Sequence, residues 1–225
     1  MNRLIAAAVL AMLAACAPAS APPADAPPAP VAPAAVTVPA GRYTLDKTHA
    51  SLIFRVDHLG FSRYTGRFAD FDATLDFTPA DPARMALDVS IDPRSLAVEN
   101  PPAGFLDELL GPQFLNAAQF PRMTFKSTAV ELTGPTTARV TGDLTLHGVT
   151  APVTLDVRYN GGYEGHPMDP NARIGFSATG ALNRSVFGIA YGIPAPGTTM
   201  GVSDAVEIIV EAEFSGPPLA AAAAP

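Results

Sequence analysis

The stretch Phe71-Asp72-Ala73-Thr74-Leu75-Asp76-Phe77, followed after Pro79 and Pro82 by Met85-Ala86-Leu87-Asp88-Val89-Ser90-Ile91, carries an apolar side chain at every odd position. Polar residues fill most of the even ones. A period of two sends successive side chains to opposite faces of a strand, so each run has one dry face and one wet face. The same alternation returns in Leu52, Phe54, Val56, in Val153, Leu155, Val157 and in Val206, Ile208, Val210, with Arg55, Asp57, Thr154, Asp156, Glu207 and Glu211 around them. Wet-faced strands in series make an antiparallel sheet. Gly60, Gly134-Pro135, Gly148, Gly161-Gly162 and Pro194 to Gly197 punctuate the runs as turns. No helix alternates regularly with strand, which argues against a parallel α/β sheet. The one expected helix starts at Pro102 or Ala103 and runs to Leu110, with Phe105 and Leu109 on one face and Gly111-Pro112 as its stop. A second short turn of helix is expected at residues 113–116. About eight strands fit a sandwich or a closed barrel, and counting does not choose between them. An eight-stranded barrel is just wide enough for packed side chains or one slender ligand.

Outside this alternating region the composition changes. Residues 1–15 carry one positive charge, Arg3, then an apolar run over residues 4–13 and the small Ala14 and Ala15 ahead of Cys16. That is the layout of a secretory signal, too short for a membrane span. Leu13-Ala14-Ala15-Cys16 also resembles the bacterial lipobox, in which the Cys thiol receives a diacylglyceryl group and becomes residue one of the mature protein. Cys16 is the only cysteine, so the mature domain is expected to hold no disulfide, thiolate catalyst or cysteine metal site. Residues 17–38 are almost entirely Ala, Pro and Val and read, with residues 16–41 as a whole, as a semi-rigid tether. Residues 216–225 read as an unstructured Ala/Pro tail, leaving residues 42–215 as the folded domain. Loss of Arg3 with the signal leaves 13 basic residues against 21 acidic ones, a formal charge of −8. An acidic surface repels nucleic acid and anionic headgroups, so membrane contact is expected through the anchor. Ala17 is not the Asp that retains enteric lipoproteins at the inner membrane, so the expected address is the periplasm, on the outer membrane. Homodimerisation stays open.

Few residues offer chemistry. His49, His58, His147 and His166 show no helical zinc spacing and there is no cysteine to join them, so no metal site is expected. His58 shares the parity of Phe54 and Val56 and is placed facing inward near a strand end, as a core or rim group or as a cap that hydrogen-bonds a ligand's polar head. His49, close to Asp46, is expected to fix a local turn. Gly-x-Ser-x-Gly is absent, as are a phosphate loop and a dinucleotide fingerprint, so an enzyme is not expected. Phenylalanines are spread over nearly every strand and the helical insert, which suits an ordinary aromatic core as well as a greasy cavity wall.

The order of motifs across the domain resembles the YceI-like family. Tyr43-x-Leu45-Asp46-x-x-His49-Ala50-x-Leu52-x-Phe54-x-Val56-x-His58-Leu59-Gly60 and Gly66-x-Phe68-x-x-Phe71 are similar to its opening. Phe114-Leu115-Asn116, Phe120-Pro121-x-Met123-Thr124-Phe125-Lys126-Ser127-Thr128 and Gly142-Asp143-Leu144-Thr145-Leu146-His147-Gly148 are similar to its middle. Asn183-Arg184-Ser185-Val186-Phe187-Gly188 and Val202-Ser203-Asp204-Ala205-Val206 are similar to its end. The resemblance implies a lipocalin-like, eight-stranded antiparallel β-barrel with a short helical insertion and a tunnel holding a polyisoprenoid or isoprenoid quinone, with no further cofactor. It implies a periplasmic carrier, reservoir or stress-response role. Ligand-wall candidates are Phe54, Val56, His58, Phe71, Leu75, Phe77, Leu87, Val89, Ile91, Phe105, Phe125, Leu144 and Leu146. Two departures stand out: Val186 occupies a usually acidic position, leaving the partner of Arg184 open, and residues 163–173 match the usual loop only loosely. Two other readings stand beside the carrier. One is an envelope-anchored structural or protein-interaction module with a filled barrel. The other is an enzyme acting on a lipid, which would need His58 in a pocket beside a second titratable group.

Overall fold

The computed structural model describes residues 37–218. The expected signal, Cys16, most of the tether and the last seven residues of the tail lie outside them. Ten strands follow in order: β1 (Gly41–His58), β2 (Ser62–Phe68), β3 (Phe71–Phe77), β4 (Ala86–Ile91), β5 (Leu96–Val98), β6 (Met123–Gly134), β7 (Thr137–Leu146), β8 (Val149–Tyr163), β9 (Asn171–Asn183) and β10 (Val202–Pro218). One helix, α1 (Phe105–Leu110), lies between β5 and β6. β10 pairs with β1 as well as with β9, which closes the sheet. Around the ring run β1, β3, β4, β6, β7, β8, β9 and β10, all antiparallel. β2 and β5 continue β3 and β4 beyond bends at Ala69-Asp70 and at the turn Pro93–Ser95; they pair with each other, and β2 pairs also with β1. The protein is therefore a closed eight-stranded barrel with two bent walls.

β1 supplies both ends of the closure. Its first residues pair with β3, Gly41 opposite Phe77, and its last with β2, His58 opposite Ser62. Between them the register against β10 jumps from Leu45 opposite Phe214 to Ala50 opposite Ala212, so residues 46–49 face the single residue Glu213. Three extra residues, an odd number, reverse which parity points inward. Tyr43 and Leu45 face in before the bulge, and Leu52, Phe54, Val56 and His58 after it. Such bulges re-aim a strand at the cost of local ladder bonds, and something must hold the loosened backbone. Asp46 does so. One carboxylate oxygen accepts from the Thr48 amide (3.0 Å) and hydroxyl (2.6 Å), and the other from His49 Nδ1 (3.0 Å) and the Arg173 guanidinium on β9. The local turn expected at His49 is this bulge.

The ends of the barrel differ. At the end bearing Gly41 and Phe77, an aromatic plug fills the interior: Tyr43 lies edge-on to Phe77 (5.5 Å between centroids), and Phe77 contacts Tyr159 and Phe176 at 6.4 and 6.5 Å. Tyr43 is fully buried, its hydroxyl donates to the Pro39 carbonyl at 2.8 Å, and burial pushes its pKa up to about 12. The Tyr43 ring lies against Gly216, where a Cβ would come within 2.0 Å of it. The folded region thus reaches past both expected limits. Val38, assigned to the tether, is buried in this plug, and Gly216 to Pro218, assigned to the tail, belong to β10.

At the opposite end, Arg184 organises the loop of residues 188–201. It is buried, with no carboxylate on its guanidinium; instead Nε donates to Ser203, Nη1 to Ile189 and Tyr191, and Nη2 to Val202, all backbone carbonyls at 2.8 to 3.0 Å. Burial lowers its pKa while nearby Asp204 raises it, and an arginine remains charged in either case. The question left by Val186 is answered: the partners of Arg184 are carbonyls, and Val186 is exposed.

Two predictions follow from these locks. The Asp46 hydrogen bond raises the pKa of His49, so that contribution is complete below the ordinary histidine value of about 6.5 and fades as pH climbs through the raised one. Hydrogen bonds from Thr48, His49 and Arg173 depress Asp46, so its contribution is complete above about 3.9 and fades as pH falls through the depressed value. The bulge is expected to be tightest between about pH 4 and 6.5. NMR titration of the His49 ring should show a midpoint above the usual range that Asp46→Asn returns toward normal; an unchanged midpoint would remove Asp46 from the lock. Arg184→Lys keeps the charge but has three donors for four carbonyls, and is expected to cost about 2–4 kcal/mol in urea unfolding. Amide exchange should quicken across residues 189–202 before the rest of the barrel.

Candidate ligand tunnel

Inside the barrel lies a cavity of about 730 Å³ whose wall is almost wholly hydrocarbon. That volume is in the range of small-molecule sites. Every strand from β1 to β10 contributes through its inward positions, so the wall follows from the period-two pattern. Of the thirteen wall candidates read from the sequence, twelve line this space. β1 supplies Phe54, Val56 and His58; β3 supplies Phe71 and Leu75; β4 supplies Leu87, Val89 and Ile91. Phe105 comes from α1, Phe125 from β6, and Leu144 and Leu146 from β7. Phe77 does not line it. Its inward parity is as expected, but it sits at the far end of β3 in the aromatic plug, beside a separate pocket of about 80 Å³. Alternation specifies a face and not a depth along the barrel axis.

The cavity opens at the Arg184 end. There its lining includes the exposed residues His58, Pro102, Glu108, Tyr191 and Gly192, whereas toward the plug it ends on Phe176 and buried Phe214. α1 covers part of the mouth. Gly104, at φ 80°, starts the helix in a left-handed conformation that glycine adopts without strain, and the Gly111 amide closes it on the Glu108 carbonyl. Phe105 and Leu109, one turn apart, both reach the cavity, and Phe105 meets Tyr64 of β2 edge-on at 6.3 Å. In the turns that follow, Phe114 packs edge-on against Tyr191 at 5.5 Å. Tyr64, Phe114, Tyr191 and Arg184 were not among the wall candidates; three of these four lie in irregular segments or at a loop junction, where alternation carries no information.

Three inward-facing glycines keep the lumen open. A Cβ at Gly66 would fall 2.4 Å from Phe54 Cζ, one at Gly142 2.4 Å from Phe125 Cζ, and one at Gly180 2.6 Å from Leu155 Cδ2. Each large side chain therefore lies against the wall over a neighbouring strand's missing side chain instead of projecting toward the axis. A filled core would place bulk at those positions, since interiors are otherwise close-packed.

Polar groups are sparse. His58 shares the mouth with Glu108, and among the described residues neither side chain makes a hydrogen bond to the other. Outside the barrel, Asp46, His49 and Glu213 place ligand-type atoms within 4.8 Å of one another. The Arg173 guanidinium already sits on the Asp46 carboxylate, however, so a metal ion there would meet a positive charge in its first ring of neighbours. Half-buried His147 donates from Nδ1 to the Phe187 carbonyl (3.1 Å), and with Gly148 it forms the β7–β8 turn at positive φ (53° and 78°) under the Phe120 ring.

Comparison with known proteins agrees with this geometry. Residues 43–214 match the YceI-like domain. The UPF0312 protein of Pseudomonas savastanoi pv. phaseolicola is 40% identical over 152 residues, covering 67% of this chain and 77% of that protein. Among solved structures, the Campylobacter jejuni YCEI protein superposes with a TM-score of 0.60 at 31% identity, over 72% of this chain and 90% of that one. A polyisoprenoid binding domain from Saccharophagus degradans, implicated in plant cell wall breakdown, shares the fold with a TM-score of 0.54 at 14% identity, over 78% and 98% of the two chains. Sequence match, strand order and barrel closure converge: this chain belongs to the YceI-like family.

Proposed function

We propose that the barrel binds a long apolar isoprenoid lipid, such as a polyprenyl chain or an isoprenoid quinone, and serves in the periplasm as its carrier or reservoir. The observation that carries this reading is the hydrocarbon-walled lumen of about 730 Å³, open at one end and plugged at the other. A blind apolar tube suits a chain entering tail first, its tail toward the plug and its head at the mouth. The Saccharophagus degradans relative in fold, a polyisoprenoid binding domain, supports the same ligand class. Each isoprene unit removes five carbons from water, worth about 4 kcal/mol at about 0.8 kcal/mol per CH2-sized group. Immobilisation costs on the order of 4–15 kcal/mol, so roughly one to four units offset it without polar contacts. His58, Tyr64 and Tyr191 at the mouth are the groups placed to meet a polar head. Acylation at Cys16 would hold the carrier on a membrane, the outer one by the residue that follows.

This role is binding, without a chemical step. Gly66, Gly142 and Gly180, which remove the bulk that filling requires, favour this reading over the filled-barrel alternative.

Protein purified from its native host and extracted with organic solvent should release an isoprenoid detectable by mass spectrometry; repeated empty preparations would overturn the reading. Leu144→Arg, at a buried wall position, should abolish retention, and Val89→Phe, which adds bulk without charge, should reduce it. A folded, fully loaded pair of variants would take both residues out of the site. Gly66→Ala should push the Phe54 ring toward the axis and lower the lipid content with little change in melting temperature, since the added methyl meets mainly the far end of a side chain. Adding Phe54→Ala should restore loading.

A further inference from the structure

Seven large hydrophobic side chains stand exposed on the described surface, and they are not evenly spread. Tyr163 ends β8 and Met168 lies in the segment between β8 and β9, at the plugged end. The other five, Phe61 (83% exposed), Met200 (73%), Val186 (55%), Tyr191 (51%) and Val149 (39%), are all on turns and strand starts at the open end. The two most exposed of the five sit on neighbouring loops. The Leu59 amide donates to the Gly201 carbonyl at 2.9 Å, and a Cβ on Gly60 would touch Thr199, so the β1–β2 turn and the 188–201 loop are held together beside His58. Tyr191 joins this apolar rim to the lumen, being both exposed and part of the cavity lining.

We propose that the mouth is a bilayer-docking surface: Phe61, Met200 and Tyr191 enter the acyl boundary of a membrane, so that ligand passes between lipid and lumen without crossing water. This rests on the carrier reading. A hydrophobic rim continuous with an apolar tunnel fits an oily plane in a way that a protein partner does not require. Phe61 and Met200 also project from turns, where they can enter a lipid phase without disturbing the sheet. The charges nearby choose the lipid. Asp57, Asp107 and Glu108 stand around the same end, while Arg63 is paired with Glu207, so anionic headgroups gain nothing there and docking is driven by apolar burial. Chain length permits it even for a protein held at Cys16. β1 enters at the plugged end, and the 21 residues at positions 17–37 span at most about 75 Å, against a barrel height of about 45 Å for an 18-residue strand at the usual tilt.

The chain contains no tryptophan, so a single introduced indole reports unambiguously. The test uses residues 16–225 with Cys16→Ser, which lack the acyl anchor and retain every strand of the closed sheet. With phosphatidylcholine vesicles, Phe61→Trp is expected to shift its emission to the blue and to be quenched by brominated acyl chains, while Met168→Trp at the opposite end stays unchanged. Phe61→Ser with Met200→Ser should lower vesicle partitioning at least tenfold at an unchanged melting temperature, and added phosphatidylglycerol should not strengthen binding. No response at position 61, or an equal response at 168, overturns docking. Lipid content measured on the same preparations separates the two readings: loaded protein with a silent Trp at position 61 overturns docking alone, and empty protein with a responsive one overturns the carrier reading.

Discussion

Closure of β1 against β10 is the interaction on which the rest depends. An open sheet with one apolar face must bury that face against another layer, and the described residues have only a six-residue α-helix to offer. Pairing the first strand with the last removes the edges and turns the apolar face into an interior. The bulge at residues 46–49 is part of the same solution. Without its three extra residues, Tyr43 and Leu45 could not face inward on the same strand as Leu52, Phe54 and Val56. The lock made by Asp46, His49 and Arg173 is therefore a condition for a wall that stays apolar along its full length.

The two ends apply opposite rules to one tube. Aromatic rings, a buried Tyr43 hydroxyl with its own carbonyl and a glycine beneath the ring close one end. A buried cation holds the other end in shape without closing it. Arg184 satisfies four carbonyls that irregular backbone would otherwise leave without partners, which allows a long loop to stand at the rim of a greasy opening. Its charge is spent inward on the loop. The mouth consequently presents Phe61, Tyr191 and Met200 outward with no strong positive field behind them.

What could be read from the residues alone is the face of each side chain, because a period of two survives any uncertainty about neighbours. Eleven of the candidates that line the lumen lie at inward positions of strands, while Phe105 comes from the helix. Depth was not legible: Phe71 and Phe77 have the same parity, and only pairing with Gly41 shows that Phe77 belongs to the plug. Hollowness was not legible either. Gly66 and Phe54 are opposite one another on paired strands, and Gly142 accommodates a ring from the adjacent β6, so their meaning appears only once register is known. The mouth was least legible of all, since Tyr64, Phe114 and Tyr191 meet around it from a short strand, a turn and a loop. The expected helix, by contrast, kept its apolar face and its glycine stop and began only two or three residues late.

Energetics link the hollow interior to its contents. At about 24 cal/mol per Å³, a dry void of about 730 Å³ would cost about 17 kcal/mol, more than the 5–15 kcal/mol that typically holds a domain together. The lumen in water must therefore hold solvent or oil. Solvent finds almost no hydrogen-bond partners in a wall of Phe, Leu, Val and Ile, and a buried water needs two or more. Oil needs none. In the proposed role, a barrel built with glycines where its core would have been filled exchanges the packing energy of its own side chains for that of a second molecule. On this reading the ligand is less a passenger than the missing part of the hydrophobic core, and the stability of the protein should rise with the fit of whatever chain lies inside.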